Sequence, residues 1–332
     1  DVIHGGKVYV RHSNKTDGSG TFQNSIDLIE ALAGNTTEAV VPSLDGEYIL
    51  KFRDDQGNFS TGETSVILDL PDLIDSQQIL SDREDTDSTP FGGTKTNVAV
   101  SAGALQLTDP SANLTGTYDF STTLDLGAVF SLNLKRVVQS IGFTVGAANT
   151  IDGLIPTGTF WDDYAQNGNF DGPAINDVSA SMAVRTTEDN PSSGSPTYTQ
   201  FNTFANGTFK GRGFQFRVTL ATTDVAQNMN LQQLGYTASM PSRTEQSAVI
   251  ASGSGAKAVT FTAPFFVGTS GLGNLNSFLP SVNISPQNMA SGDYFELSSI
   301  SGTGFTVHFK NSSNASIDRN FTYSAVGFGK GG

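Results

Sequence analysis

The chain has 332 residues, a formal net charge of −14, charged residues at only 15% and no cysteine. That length allows two or three domains with cores of their own. The acidity leaves no basic patch to bind phosphates, so nucleic acid is excluded as a partner, and the lack of cysteine excludes a disulfide framework and thiolate metal sites. No apolar run is long enough for a membrane span. The 23 Phe against a single Trp, with 36 Gly and many Ser, Thr and Asn, predict a β-rich chain whose turns are made by Gly and Asn. The charge is uneven. Residues 1–90 hold 17 acidic and 6 basic residues, against 15 and 12 in residues 91–332. Acidity of this kind serves solubility through mutual repulsion.

In chain order, residues 1–70 predict most of a small β-sandwich. Lys7 to Arg11 and Glu47 to Arg53 alternate as strands, Asp54 to Asn58 is a turn, and Thr64 to Leu68 is a further strand. Ser25 to Leu32 fits either a short helix closed by Gly34 or a strand. The run YILKFRDDQGNFS resembles the end of a fibronectin type III module, whose first strands would then precede Asp1. Residues 71–90, bracketed by prolines and rich in acids, predict a linker or a segment lying along a neighbour, with Leu73, Ile74, Ile79 and Leu80 able to pack on it.

Residues 91–245 predict a central sandwich or jelly roll. Alternation marks Tyr118 to Leu126, Ser131 to Val138, Ser179 to Arg185, Gly213 to Leu220 and Asn228 to Met240. Residues 246–332 predict a small terminal sandwich, opening with Ala258 to Phe266. Its Phe305, Val307 and Phe309 alternate with polar residues, and so do Phe321, Tyr323 and Ala325 across an Asn/Ser-rich turn. That pattern predicts an antiparallel hairpin. The fold class expected is therefore all-β, as tandem β-sandwiches.

An ordered set of runs carries a family resemblance: GEYILKFRDDQGNFS (46–60), YDFSTTLDLG (118–127), VSASMAVRTTEDNP (178–191), GRGFQFRVTLATTD (211–224), QNMASGDYFEL (287–297) and TGFTVHFKNSSNASIDRNFTYSAVGFG (303–329). In order and spacing they resemble the C-terminal part of the host-specificity proteins at the tail tip of lambda-like bacteriophages, a family with counterparts in gene transfer agents. The resemblance implies a homotrimeric central tail fibre at the distal end of the virion tail. Such a fibre contacts other tail-tip proteins and binds a protein or glycan receptor on the bacterial outer surface. The terminal domain also resembles the six-stranded H-type lectin sandwiches, which trimerise. Apolar residues such as Phe265 and Phe266 suit a trimer face.

The candidate residues follow from chemistry. His4, His12 and His308 form no nucleophile–base grouping and are expected on the surface, so no catalytic residue is assigned. Asp162, Asp163, Asp171 and Asp177 offer paired carboxylates of the kind glycoside hydrolysis uses, although acids in Gly/Asn loops are ordinarily turn formers. Asn167, Asn169 and Asp171 echo the opening of a calcium loop. Asn stands at the first position and Val178 at the twelfth, so no metal or cofactor is assigned. Trp161, Tyr164 and Phe170 form an aromatic loop suited to receptor contact or to packing on its own sandwich. The Gly-rich stretch 268–279 is the second contact candidate, through Gly268, Leu272, Asn274, Asn276 and Phe278 or Leu279; its bland alternative is a long hairpin connection. The function expected is receptor attachment. The alternatives are a tail spacer without receptor contact and a secreted polysaccharide-active enzyme carrying fibronectin-III and carbohydrate-binding modules.

Overall fold

The computed structural model describes residues 5–69, 76–85, 91–145 and 175–331. Trp161, Tyr164, Phe170, Asn167, Asn169, Asp171, Asp162, Asp163, His4, Leu73 and Ile74 lie outside the described residues. Within them the protein is an all-β antiparallel sandwich structure, without α-helix.

The N-terminal module comprises β1 (Lys7–Ser13), β2 (Ile26–Asp27), β3 (Leu32–Ala33), β4 (Gly46–Arg53) and β5 (Thr64–Leu68) in one antiparallel sheet. β1 pairs β4 over its whole length, from Lys7↔Arg53 to Ser13↔Glu47. The alternation of β1 separates Val8, Val10 and His12 from Tyr9, Arg11 and Ser13. Val10 packs with Leu28, Leu44 and Tyr48, so the chain between β2 and β4 covers one face in place of a second layer. The other face meets the central domain, where Arg11 donates to the Val178 carbonyl and Lys51 to Asn176 Oδ1 at 2.8 Å. The segment Ser25 to Leu32 is not a helix. Before it stands a single 3-10 turn, Phe22–Asn24, held by reciprocal capping between Thr21 and Asn24.

The central domain is built from β6 (Ser76–Asp85), β7 (Thr94–Thr96), β8 (Val98–Ser101), β9 (Ala104–Leu107), β10 (Thr115–Asp119), β11 (Leu124–Thr144), β12 (Val178–Thr187), β13 (Asn202–Thr203), β14 (Gly207–Thr222) and β15 (Gln227–Gln246). The long strands change partners midway. β11 pairs β14 over Leu124 to Leu134 and β15 over Asn133 to Thr144, while β14 continues against β12 and β10. Alternation gives each a largely apolar buried face, interrupted on β11 by Arg136 and Ser140. Phe214, Phe216, Val218 and Leu220 are all buried, as the alternation predicts, and Phe216 stacks on Tyr236 with ring centroids 4.3 Å apart. Burial of each such ring is worth roughly 2–3 kcal/mol.

The acidic stretch, expected as a linker or as a segment lying along a neighbour, contributes β6, a strand of the main sheet. It pairs β15 from Asp85↔Gln233 to Ser76↔Pro241 and buries Ile79 and Leu80. Backbone pairing is blind to side-chain polarity, and the buried Glu84 carboxylate is satisfied by the Tyr118 hydroxyl.

The terminal domain adds β16 (Ile250–Ala251), β17 (Lys257–Thr260), β18 (Ser281–Gln287), β19 (Tyr294–Ser298), β20 (Gly304–Lys310), β21 (Asn320–Phe328) and β22 (Lys330–Gly331). β17, β20 and β19 form one layer. In the other, β21 pairs β18 on one edge and both β16 and the end of β15 on the other. The predicted β20–β21 hairpin is corrected. After the Asn311–Asn314 turn the chain bridges only Lys310↔Ser316 and then crosses to the opposite layer. The two strands face each other through the core, with the Phe309 and Phe321 rings 5.6 Å apart. Alternation reports a buried face and is silent on which layer the partner occupies. β15 ends at Gln246, beside the expected boundary at 245/246, and its last residues, Ser242 to Gln246, pair β21.

Candidate functional site

The connection from Phe266 to Pro280 is anchored to the body of the protein. Gly268 has φ +107°, and a Cβ there would fall 2.0 Å from the Asn274 carbonyl, so only glycine fits. Asn274 Oδ1 accepts from Thr269 N at 2.9 Å, and a 3-10 turn at Ser270–Leu272 ends on Gly273 with φ +68°. Leu272 and Phe278 pack against the central core, with the Phe278 ring 5.8 Å from both Phe266 and Phe328. Gly268, Leu272, Asn274 and Phe278 therefore shape the loop from inside. Asn276 is exposed, beside Leu275 at 54% and Leu279 at 42%. Of the residues expected to touch a partner, Asn276 and Leu279 are exposed and Phe278 is partly buried. Leu275 joins them, next to Asn276, whose φ is +64°. The Trp161, Tyr164 and Phe170 candidates lie outside the described residues.

Next to this loop stands the outer face of the terminal sandwich. β18 presents Ser281, Asn283, Ser285 and Gln287; β21 presents Asn320, Thr322, Ser324 and Val326; the end of β15 adds Ser242, Thr244 and Gln246. These three strands place no charged side chain on that face. The opposite layer is different, with Lys310 paired to Glu296 at 2.8 Å and His308 Nε2 2.8 Å from Ser316 Oγ.

A third feature is the seam between the N-terminal module and β11. His12 is buried there at 2% exposure, which corrects its expected surface position. Its Nε2 donates to the Asp45 carbonyl at 2.9 Å, and Gly46, at φ +127°, leaves room for the ring. Burial, reinforced by the positive charge of Arg136, pulls the His12 imidazole down to about 4. Arg136 is 2% exposed and its guanidinium finds no hydrogen-bond partner among the described residues. Burial brings it down to about 10. Lys135 closes the same seam by pairing with Asp45 at 2.8 Å.

The carboxylates divide by role. Asp177 accepts from Thr223 Oγ1 at 2.8 Å and lies 4.0 Å from Arg53, so it ties a turn to the N-terminal module. On β6, Glu84 and Asp82 are both held above the ordinary carboxylate range by burial. Among the described residues no group of three or more acidic or histidine side chains converges as a metal site would require. No helix among the described residues is long and apolar enough to cross a membrane. No family model matches the chain, and no curated protein is significantly similar to it.

Proposed function

We propose that this chain is a receptor-attachment protein of a long tail, phage or gene-transfer-agent, which docks the particle on a bacterial surface without chemistry of its own. The observation that carries the reading is the uncharged outer face of β18, β21 and β15 on a chain of net charge −14. An acidic protein is repelled by an anionic cell envelope, and a face of hydroxyls and amides approaches it without that repulsion and without stripping water from a charge. Leu275 and Leu279 on the adjoining loop supply exposed apolar area, with the Asn276 amide between them. The expected homotrimer would multiply weak contacts threefold in copy number. Phe265 and Phe266 do not argue for it, because both are buried within one chain.

A spacer without receptor contact is the second reading, favoured by the inward anchoring of the 268–279 loop. An adsorption-blocking assay decides between them. The purified chain, its oligomeric state fixed by light scattering, is pre-incubated with host cells and particle attachment is counted. Dose-dependent blocking, weakened by Thr322→Glu or by Leu275→Asp, supports attachment. A folded chain that blocks nothing supports the spacer.

A further inference from the structure

We propose that the cleft between the N-terminal module and the β11–β15 ladder binds a small sugar acid, a hydroxyl-rich ring bearing one carboxylate. This site is separate from the uncharged face, and its binding does not depend on the attachment reading. The cleft has a volume of about 310 Å³ and lies between Asn14 and Lys15 on one side and Gln139, Ser140, Gln232 and Gln233 on the other. That is the lower end of ligand-pocket sizes, roughly 300–1,000 Å³, and suits one ring rather than a chain of sugars.

The cleft is made by an irregularity in the ladder. Gln139 pairs Gln233 but Ser140 pairs Leu231, so Gln232 is an extra residue on β15. Such a bulge re-aims side chains and interrupts pairing. It leaves Ser140 at 2% exposure on the cleft wall with its hydroxyl unpartnered among the described residues. A buried hydroxyl without a partner is costly, and a ligand hydroxyl reaching it removes that cost.

The lining states the ligand's chemistry. The amides of Asn14, Gln139, Gln232 and Gln233 both donate and accept, which matches vicinal hydroxyls, each also a donor and an acceptor. Among the described residues the one charged side chain of the lining is Lys15, although the module that supplies it is acidic. Lys15 forms no salt bridge among the described residues, and the one carboxylate close to it, Asp17, is taken up by the backbone and hydroxyl of Ser19 at 3.0 and 2.6 Å. Behind the wall stands Arg136, its carbonyl accepting from Asn14 Nδ2 at 3.4 Å and its guanidinium without a hydrogen-bond partner among the described residues. Among the described residues the lining holds one cation, Lys15, and no carboxylate, and with Arg136 behind the wall this favours an anionic group beside the hydroxyls. Among the described residues no aromatic ring lines the cleft and Val137, Val138 and Ile141 supply its apolar surface, so recognition rests on hydrogen bonds and charge rather than on stacking.

The test is titration of the whole chain with glucuronate, glucose and acetate, read by saturation-transfer NMR and calorimetry. Glucuronate is expected to bind about tenfold or more tightly than either glucose or acetate, the ratio that one charge-assisted hydrogen bond supplies. Lys15→Ala is expected to abolish the preference over glucose. Ser140→Ala, which removes an unpartnered group and so keeps the fold, is expected to weaken glucuronate by about fivefold to tenfold. Equal affinity for glucuronate and glucose overturns the proposal. So does acetate binding as well as glucuronate, which would mark a simple anion site, and so does the absence of binding by a chain with an unchanged melting transition.

Discussion

Phe265 and Phe266 are consecutive residues that sit in two different cores. The Phe265 ring stands edge-on to Phe261 at 5.0 Å inside the terminal sandwich, and the Phe266 ring stands edge-on to Phe130 at 5.9 Å inside the central domain. The extended backbone sends neighbouring side chains to opposite sides, so two residues join two domains. Phe266→Ala is expected to cost about 3–5 kcal/mol, borne by the central domain, and Phe265→Ala a similar amount, borne by the terminal one. Urea unfolding followed by hydrogen exchange in each domain checks the assignment. A loss confined to the wrong domain would refute it.

Arg243 fastens the same seam. Its guanidinium donates to the carbonyls of Gly329 at 2.8 Å, Ala263 at 2.5 Å and Pro264 at 3.0 Å and to Glu245 at 3.1 Å, and it lies 3.7 Å over the Phe265 ring. Lysine keeps the charge and loses the planar fork. Arg243→Lys is therefore expected to destabilise by about 2–3 kcal/mol, visible as a lowered urea midpoint.

His12 gives the fold a pH dependence with a definite sign. Its folded value is about 4 against an ordinary 6.5, so between those limits the unfolded chain binds the extra proton. Stability is complete above about pH 6.5, falls as pH drops toward 4, and is flat below; the full loss is about 3 kcal/mol. Asp82 and Glu84, held above the ordinary carboxylate range, act in the opposite direction as their protonation favours the folded state. The comparison that isolates His12 is wild type against His12→Gln at pH 7.5, 6 and 4.5. The variant is expected to lose the part of the slope between 6.5 and 4, and identical slopes would exclude the imidazole as its source.

Glu84 and Tyr118 test whether the buried polar contact on β6 depends on charge or on hydrogen bonding. The Tyr118 hydroxyl donates to Glu84 and accepts from Gly93 N at 2.7 Å. Tyr118→Phe strands both partners and is expected to cost about 2–4 kcal/mol. Glu84→Gln keeps an acceptor for the hydroxyl without a charge that burial opposes, so its cost is expected below about 1 kcal/mol. Thermal melts of the two variants in the reverse order would show that the charge itself holds β6 in place.

Much of this architecture is legible in alternation alone. Phe305, Val307 and Phe309, or Phe214 to Leu220, declare a buried face before any partner is known, because the period of a strand is fixed by its own backbone. Pairing is not legible in the same way. β20 and β21 carry the pattern of a hairpin yet lie in opposing layers, since both layers face the same core. β6 is hidden by composition: Ser81 to Asp85 looks solvated until Tyr118, far along the chain, supplies a partner for Glu84. The burial of His12 depends equally on distant residues, Asp45 and Arg136. At the candidate contact loop the sequence locates the segment but not its exposed side. A Gly-rich stretch with Phe278 suggests an outward anchor, and only the rings of Phe266 and Phe328 turn it inward.

β15 is a single strand of 20 residues, about 65 Å long, hydrogen-bonded to β6 and β11 in the central domain and to β21 in the terminal one. A pull on the terminal domain along this strand loads those ladders in shear, where many bonds must fail together rather than open one by one. The terminal sandwich is thus tethered by a mechanical tie rod and not by a hinge. Force applied at one end reaches the other with little slack.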